Sequence, residues 1–514
     1  MNNDLLTYNA LDCACTIEAR NAFWSEINTH GYQPAYAMTL RLFNPLMFMM
    51  TRGIRVNFEA LEETKVDITN KEKQAQEELN RIAGRELNAL SPKECQLYFY
   101  VEKGIPPYYS KNGGVTTDDK ALQRIARGTA KRYGLREAKL VQDIRGYRKL
   151  FGTYLDIDFD SDGRLRCAYN PRGTKFGRLS SSATVFRTGT NLQNLPAEFK
   201  KFLVPDPGYF FWEIDKRQAE WVVVAYLSGD ANMLHVIETG EDPHTHTAHL
   251  MFRVPKEAIR IDHKLIGNLN DPDEIEHRRR NHPDLLAYID VLPRMMSARQ
   301  MGKKSNHGLN YDEGYRTFSL TNEIEEAEGK RIVTLYHSIY PGIRANYYES
   351  VKRQLTKDRT LTNCFGRKIR FLDAWGDSLF KAAYSAIPQS TVVDGLNIGM
   401  CEIYEDAGLT DRTGHNIDIL AQVHDSILMQ VPLSILDQGD TFWNIARSVY
   451  DKVSPEMEYN GRKFKIATDS KVGMNWGGYH PEVNSSGMQE VEVGNHPASF
   501  VSKVKRITNV EQGA

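Results

Sequence analysis

Two carboxylates in this sequence stand where short apolar runs end, a placement that suits metal-assisted phosphate chemistry. Asp215 closes the run "YFFWEID", and Asp425 lies between the two apolar halves of "LAQVHDSILMQV". If both runs are strands of one sheet, the two acids form a paired-carboxylate site of the kind that holds two Mg²⁺ ions in phosphoryl transfer. The alternatives are structural: Asp425 as a turn residue, and Asp215 as a strand end neutralised by Lys216 and Arg217.

A second set of chemically capable residues has helical spacing. Arg299, Lys303, His307 and Tyr311 follow one another at intervals of four in "RQMGKKSNHGLNY". On a helix each step drifts by ~40°, so the four side chains fall within an arc of ~120°. One interpretation is a solvated cationic face. The other is that the cations neutralise phosphates while one of the two rings stacks on a base.

The elements that must position these residues follow from local patterns. Residues 3–50 are predicted to be mainly helical, because their apolar side chains recur every three, four or seven positions. A long charged helix is predicted from the N-cap Asn57 to Gly84, with a narrow apolar stripe that suits an extended hairpin. Two β-rich runs within 415–432 predict a hairpin whose turn carries Asp425.

The composition is that of a globular protein of several domains. With 514 residues and a net charge of −1, any affinity for nucleic acid must come from local basic patches. The six scattered cysteines indicate neither a zinc site nor a disulfide framework, and no apolar run approaches the ~18 residues that span a bilayer. A cytoplasmic protein is expected. The polar stretch 255–295 is expected to be a surface insertion or a mobile loop, and residues 483–514 a polar tail.

The sequence resembles the DNA polymerase I family (family A), especially its phage-like members. "DKRQAEWVVVAYLSGD" is similar to the family's first palm motif. That likeness implies a metal-binding role for Asp215 and a ribose-excluding role for Glu220, with Gln218 conforming as a nucleotide-binding residue. "QVHDS" resembles the third motif, which implies that Asp425 is the second metal ligand and that His424 lies near the primer end.

The cationic segment also has a counterpart in the family. "RQMGKKSNHGLNY" is similar to the fingers helix, which implies triphosphate contacts by Arg299 and Lys303, and "DPHTHTA" implies that His244 lies near the incoming phosphates. His307 and Tyr311 complete the expected nucleotide-binding set. His307 stands where the family usually has an aromatic residue, which leaves its part in sugar discrimination and stacking open.

Three further segments imply contacts with DNA. "GRLSS", "NLQNLP" and "YSAIPQSTVVD" resemble stretches that bind the template–primer duplex. The residues to which the resemblance assigns such contacts, the hairpin histidine included, are Arg178, Asn191, Gln193, Asn194, Gln389 and His424.

Departures from the family pattern surround the first acid and follow the second. Lys216 and Arg217 stand where tyrosine and serine are usual, and only the backbone carbonyl of Lys216 is expected to ligate metal. The two cationic side chains are expected to meet a phosphate or a neighbouring acid. Ser426 replaces the usual glutamate after Asp425, which leaves two aspartates to hold two ions.

The fold implied by the resemblance is an α+β multidomain right-hand polymerase, with an antiparallel-sheet palm, helical fingers and a helical thumb. The expected divisions are a remnant of an exonuclease domain at 1–40, the thumb and its flanking helices at 41–155, the palm at 156–235 and 371–482, the fingers at 236–370 with an insertion at about 255–295, and the tail at 483–514.

The N-terminal segment resembles part of a nuclease. "TYNALD" places Tyr8 and Asp12 on one helical face, like the last motif of the family's 3′–5′ exonuclease domain. The two earlier acidic motifs have no room ahead of Met1. We therefore expect no 3′–5′ exonuclease activity in this chain alone, and either loss of that domain or a separate exonuclease chain that docks on residues 1–40.

The function implied is template-directed addition of dNMP to a primer 3′-hydroxyl with two Mg²⁺ ions, for which Mn²⁺ is a substitute. Its partners would be primer–template DNA and dNTPs, with no membrane, and Lys303 could give a proton to the leaving pyrophosphate. One alternative is a single-subunit RNA polymerase, which shares the fold but lacks an acid at the position of Glu220. The other is a non-catalytic DNA-binding subunit of a split polymerase.

Overall fold

The computed structural model of the chain describes residues 3–110, 112–129, 132–269, 271–410, 417–494 and 496–508. Within these ranges no helix combines the length and the apolar character needed to cross a membrane. The first two residues of the expected exonuclease remnant, and residues 495 and 509–514 of the expected tail, lie outside the described ranges.

Residues 3–50 are mainly helical, as expected, and helices with short strands between them continue to residue 150. Their elements are α1 (Asn3–His30), α2 (Gln33–Arg41), α3 (Phe43–Arg52), β1 (Ile54–Val56), α4 (Phe58–Ala83), α5 (Pro92–Gln96), β2 (Tyr108–Tyr109), β3 (Val115–Thr116), α6 (Asp119–Arg127), β4 (Gly128–Thr129), β5 (Arg132–Tyr133) and α7 (Arg136–Leu150).

The long charged helix predicted from Asn57 is present as α4. The Asn57 side chain accepts a hydrogen bond from the Ala60 N–H at 3.2 Å, so it caps the helix at the predicted residue. Helix α4 packs against α7 through its narrow stripe, in which Leu79 is buried against Leu140 and Ile144. The stripe does not form an extended hairpin as predicted, because Leu61 and Ile68 belong to the core beside the sheet, and Ala75 and Leu79 to a second apolar core with residues of α5, α6 and α7.

Most of the next segment belongs to strands and their connections. Its elements are β6 (Arg164–Leu165), β7 (Ala168–Asn170), β8 (Ser180–Ser182), α8 (Ala197–Lys200), β9 (Leu203–Val204), β10 (Tyr209–Lys216), α9 (Ala219–Ser228) and α10 (Ala231–Glu238).

A helical block follows, and it contains the stretch expected to be an insertion. Its elements are α11 (Pro243–Phe252), α12 (Lys256–Ile266), α13 (Pro272–Arg280), α14 (Ala298–Leu309), α15 (Tyr315–Asn322), α16 (Glu326–Ile339), α17 (Glu349–Asp358), β11 (Thr360–Thr362) and β12 (Lys368–Arg370).

The expectation of a mobile loop at 255–295 is wrong. Helices α12 and α13 occupy about half of the stretch, and Ile259, Ile275 and Leu285 are fully buried. A buried ion pair between Arg279 and Asp262 joins the two helices. The polar composition misled because most charged residues of α13 are at least partly exposed, while Ile275 and the paired Arg279 are buried.

The last part of the chain completes the sheet. Its elements are α18 (Asp377–Glu405), β13 (Asp418–Val423), β14 (Ser426–Pro432), α19 (Thr441–Val453), β15 (Met457–Tyr459), β16 (Arg462–Phe464), β17 (Thr468–Gly473), β18 (Gln489–Glu490) and α20 (Pro497–Ile507).

The central sheet is antiparallel and has the strand order β13-β14-β10-β17-β18. Strand β10 lies in the middle, so its apolar run is buried on both faces, and Trp212 donates a hydrogen bond to Ser470 at 2.7 Å. Phe210 and Trp212 pack edge-on against Phe442 of α19. The predicted hairpin is present as β13 and β14.

The residues expected to form a polar tail are partly in the core. Helix α20 buries Phe500, Val504 and Ile507, and Phe500 stacks on Phe442. These apolar residues recur at intervals of four and three, which is helical spacing, but they stand within a mostly polar segment. Residues 497–507 therefore form part of the layer of helices that covers the sheet.

Candidate active site

The sheet brings the two strand-end acids together. Strand β10 pairs with β14 so that Asp215 lies opposite Ser426, and Asp425 is the residue just before that partner. The Lys216 N–H donates to the Asp425 carbonyl at 3.2 Å. Two residues 210 positions apart in sequence thus lie at one end of neighbouring strands, which is the arrangement a shared cation requires.

The electrostatics of both acids favour a bound cation. Asp215 reaches solvent, but the protein around it and then the charges of Glu213 and Asp425 raise its pKa to about 6. Burial also raises the pKa of Asp425, and the Arg178 guanidinium offsets only part of that rise. The Asp425 Oδ1 atom is buried and accepts no hydrogen bond within the described residues. An unsatisfied carboxylate oxygen beside a second acid fits a divalent metal ion.

The acids number two rather than three. Among the described residues no group of three or more histidine, cysteine, aspartate and glutamate side chains is placed to hold a metal. Glu213, on the same face of β10 as Asp215, accepts hydrogen bonds from Trp476 at 3.0 Å and Ser426 at 3.3 Å. The serine after Asp425 therefore tethers Glu213 instead of supplying a carboxylate of its own.

Glu220, on the first turn of α9, is held from two sides. Arg178 donates to its Oε1 at 2.5 Å, and the Tyr311 hydroxyl donates to its Oε2. The same Arg178 guanidinium lies 3.8 Å from Asp425 Oδ1. Arg178, expected to contact DNA, therefore lies between two acids of the site. Burial raises the pKa of Tyr311 well above its ordinary value, so the phenol keeps its proton.

The predicted cationic face is only partly a helix face. Helix α14 carries Arg299, Lys303 and His307, and the last two are exposed. The helix ends at Leu309, so Tyr311 is not on the same face as predicted; it lies in the turn beyond and reaches back to Glu220. The interval of four placed Tyr311 on the helix only on the assumption that the helix continues past Leu309.

Arg299 is engaged by an acid that the sequence analysis did not single out. Its guanidinium donates to both carboxylate oxygens of Asp242, at 2.9 and 3.0 Å, and Gln218 donates to the same carboxylate at 3.0 Å. Burial would raise the pKa of Asp242, but the hydrogen bonds from Arg299 and Thr245 outweigh it and lower the pKa to about 2. The signal available in the sequence was the N-cap pattern of an aspartate before Pro243.

His244 lies beneath α14. Its Nδ1 is 3.1 Å from the Asn306 amide nitrogen, and burial lowers its pKa to about 4, so the imidazole is neutral near pH 7. The crossing of α11 and α14 is very close: a Cβ atom on Gly302 would lie 2.3 Å from the His244 carbonyl oxygen. Only glycine fits at that point.

Lys216 and Arg217 turn away from the acids. The Lys216 ammonium is buried, donates to the Val453 carbonyl and to Ser454 Oγ at 3.0 Å, and has its pKa lowered to about 7 by burial. Among the described residues the Lys216 ammonium forms no ion pair with an acid, and it is instead engaged by these two neutral oxygens. Arg217 does meet an acid, because it donates to Asp469 at 2.8 Å.

Two of the expected DNA-binding residues hold the hairpin turn. Gln193 accepts from the His424 N–H at 2.9 Å and donates to the Gln422 carbonyl at 2.8 Å. Asn191 in turn accepts from the Gln193 N–H at 3.0 Å. His424 has a positive φ of 52°, a conformation that costs free energy for a non-glycine residue. Gln193 therefore supports the strained turn that presents Asp425.

The other expected DNA-binding positions are open to solvent. Asn194 and His424 are exposed, and Gln389 is partly exposed on α18. Of these three residues, His424 is adjacent to Asp425 in the sequence. The sheet-end acids, the cations of α14 and the solvent-open residues together suit a reaction on a polyphosphate.

Comparison with known proteins identifies this arrangement. The polymerase domain of Pol1 from M. smegmatis, solved in complex with DNA primer-template and dNTP, superposes with a TM-score of 0.67 and 24% identity, over 85% of this chain and 70% of that one. The fold is thus the right-hand polymerase fold, with the antiparallel sheet as palm and helical fingers and thumb.

The chain belongs to DNA polymerase family A. The family model matches residues 58–265 and 290–478 and leaves the segment between them unmatched. DNA polymerase I of Thermus aquaticus is 25% identical over 80% of this chain and 45% of its own length, and that of Streptococcus pneumoniae is 27% identical over 84% and 46%. The chain therefore spans less than half the length of these relatives. The resemblance seen in the motifs is confirmed.

Proposed function

We propose that the chain is a template-directed DNA polymerase that adds dNMP to a primer 3′-hydroxyl. The observation that carries the proposal is the adjacency of Asp215 and Asp425 at one end of the sheet, where the buried Asp425 Oδ1 accepts no hydrogen bond within the described residues and could bind a cation. Family membership and the cations of α14 support it.

Asp215, Asp425 and the backbone carbonyl of Lys216 would hold two Mg²⁺ ions, with Mn²⁺ as a substitute. When bound, the ions supply charge that lowers the pKa of the primer hydroxyl and neutralises the triphosphate. The raised pKa values of both aspartates support this, because burial, and after it the charges of neighbouring acids, disfavours their ionised forms, and a bound cation would offset both effects.

The chain's own cations would act on the triphosphate. Lys303 is exposed on α14 one turn after Arg299, so its ammonium can reach the leaving pyrophosphate and give it a proton. Arg299 would give up its two hydrogen bonds to the Asp242 carboxylate and donate to phosphate oxygens instead, since both groups accept a bidentate guanidinium. His307 and the neutral His244 would contact the nucleotide from the same side.

Glu220 would screen the sugar. Arg178 and Tyr311 fix both of its carboxylate oxygens, so the side chain is held in one place, where it can exclude a 2′-hydroxyl. Gln218 would keep the fingers in register with the palm, since its amide joins α9 to the Asp242 cap of α11.

Duplex binding is proposed to involve Arg178, Asn194, Gln389 and His424, together with the Asn191 and Gln193 segment. Such contacts go mainly to phosphates, so affinity should fall as salt rises and depend little on sequence. The proposed divisions are the thumb at 41–155, the palm at 156–235 and 371–482, and the fingers at 236–370. The proposed location is the cytoplasm of a bacterial or phage-infected cell, in keeping with the bacterial relatives.

The test is Mg²⁺-dependent primer extension on a template, with dNTPs and rNTPs compared and a labelled 3′ end followed for degradation. We expect extension with dNTPs, no extension after chelation, and no shortening of the label. Preferred use of rNTPs would instead support a single-subunit RNA polymerase, and DNA binding without extension would support a non-catalytic subunit.

A separate exonuclease chain is proposed to dock on residues 1–40. The support is helix α1, where every residue from 4 to 23 is exposed and the apolar Leu5, Leu6, Leu11 and Phe23 are 54–66% exposed. Apolar exposure on that scale is typical of a surface that a partner covers. Co-purification with candidate exonucleases, with a Leu11→Glu variant as control, tests this. Equal capture by both forms would contradict it.

A further inference from the structure

The segment that the family model leaves unmatched reaches into the core of the fingers. Residues 266–289 include α13, whose Arg279 side chain is only 3% exposed. Its Nε donates to Asp262 at 2.8 Å, and its two terminal nitrogens donate to the carbonyls of Pro293 at 2.7 Å and Met296 at 3.0 Å. The Arg279 guanidinium therefore connects α13 to α12 and to the segment 293–296, which leads into α14.

Asp262 of α12 connects this guanidinium to the start of α14. While Oδ1 accepts from Arg279, Oδ2 accepts from the Ala298 N–H at 2.7 Å, and the carboxylate has no exposed surface. Ala298 is the first residue of α14, and Arg299 is the next. An acid at a helix N-terminus satisfies a free N–H and favours the helix dipole.

The neighbouring residue of α12 contacts the same turn. His263 Nδ1 lies 3.0 Å from Oγ of Ser297, the N-cap of α14, and its Nε2 lies 3.4 Å from the Arg299 guanidinium. Three successive residues at the start of α14 are therefore held by α12, and α12 is held by Arg279.

We propose that Arg279 and Asp262 are positioning residues that fix the first turn of α14 and so place Arg299 for the triphosphate of the incoming nucleotide. The inference rests on the proposed polymerase function and deepens it by assigning a role to the unmatched segment 266–289. Neither residue touches substrate; both act through the backbone at 293–298.

Arg279 and Asp262 can hold this position because each buried charge is stabilised by the other. Both are desolvated, so removal of one leaves the other buried and unpaired, and the freed carbonyls of Pro293 and Met296 lose their donors. The adjacent Arg278 and Arg280 differ, because each is exposed and forms an ordinary pair within α13. A small displacement of a phosphate-binding group is costly to substrate binding.

The experiment measures kcat and KM for dNTP in primer extension by the full chain, with the Kd for primer–template and inhibition by pyrophosphate measured alongside. The variants are Arg279→Met, Arg279→Lys and Asp262→Asn, with Arg280→Met as the matched control. We expect Arg279→Met to raise KM about tenfold and to weaken pyrophosphate inhibition in parallel, with kcat and the DNA Kd changed less than about threefold. Arg279→Lys should recover part of the loss, and Arg280→Met should match the wild type.

If Arg279→Met does not fold, the two milder variants decide. A folded Arg279→Lys or Asp262→Asn protein with the KM and pyrophosphate inhibition of Arg280→Met would overturn the proposal. So would a fall in kcat alone, because a purely structural defect lowers the active fraction and leaves KM unchanged. Wild-type protein that fails to extend any primer would instead overturn the proposed function.

Discussion

The acids at the end of the sheet carry the central prediction at the scale of single residues. We expect Asp215→Asn and Asp425→Asn each to lower primer extension by about 10³-fold or more, because each removes a charge that the proposed metal ions would require. Primer–template affinity should stay within about twofold, since neither acid supports a phosphate contact. Rapid-quench extension and fluorescence anisotropy measure the two quantities.

The control for that pair is Asp469→Asn. Asp469 lies opposite Asp215 on β17, on the side of β10 away from Asp425, and its carboxylate is already paired with Arg217. It should extend primers like the wild type. Near-normal rates in either of the other two variants would show that the metal assignment is wrong.

Glu220 gives a second prediction at this scale. Glu220→Ala should lower the preference for dNTPs over rNTPs by about tenfold or more, because the carboxylate proposed to block the 2′-hydroxyl is gone. The measurement is kcat/KM for each nucleotide class. Glu238→Ala, an exposed glutamate of α10, is the control. Unchanged discrimination would remove Glu220 from the sugar site.

The sequence predicts a site residue when the pattern that marks it lies in its own neighbouring residues. The acids at 215 and 425 could be paired because each ends an apolar run, and the register of β10 with β14 bears that out. The Asp242–Arg299 and Asp262–Arg279 pairs could not, since they join positions 57 and 17 residues apart through packing that no periodicity encodes. Lys216 was missed because a lysine at a strand end is ordinarily exposed.

Among the elements, the crossing of α11 and α14 gives a prediction about packing. Gly302→Ala would place a methyl group against the His244 carbonyl, and we expect a loss of about 1–3 kcal/mol in the free energy of unfolding with a weaker dNTP affinity. Denaturant unfolding and KM for dNTP measure this. Gly146→Ala on α7, where a Cβ atom meets nothing within 4 Å, should instead stabilise by ~0.5–1 kcal/mol. Equal stabilities for the two variants would contradict the close crossing.

Helix α16 gives a pH-dependent prediction. His337 is 8% exposed, neither ring nitrogen has a hydrogen-bond partner within the described residues, and burial lowers its pKa from 6.5 to about 4. Because the neutral form is favoured in the folded state, its contribution is complete above about pH 6.5 and is lost as pH falls towards 4. That loss is roughly 2–3 kcal/mol.

The check compares the stability of wild type and His337→Leu from pH 7 to pH 4. The variant should lose less stability across this interval, and His235→Leu, at an exposed position on α10, should follow the wild type. Parallel curves for wild type and His337→Leu would contradict the buried neutral histidine.

Elements with strong local signals were predictable, and elements stabilised by distant contacts were not. Helix α4 begins at its predicted cap because Asn57 makes a bond within its own turn. Helices α20 and α13 lie in polar sequence, and each is held by a distant partner: α20 packs its apolar residues near α19, and α13 is joined to α12 by the buried Arg279–Asp262 pair. Composition alone reads such segments as solvent-exposed.

At the scale of the whole molecule, α1 is separable from the rest. Deletion of residues 1–19 should change the free energy of unfolding by less than about 1 kcal/mol and leave primer extension unaltered, because residues 4–19 are exposed and bury nothing. Thermal unfolding and extension rates measure this. Deletion of residues 1–40 is the contrasting variant, because it removes almost all of α2 and with it the contacts between α2 and α18. A large loss of stability from the shorter deletion would contradict the separability of α1.

The crossing at Gly302 also has a mechanical consequence for the whole molecule. Two helices whose backbones approach this closely leave little room for independent displacement, so we expect α11 and α14 to move together. The Arg299–Asp242 pair lies across the same junction. We therefore expect a rotation of α14 to carry the cap of α11 with it and to load the hydrogen bond by which Gln218 joins that cap to α9.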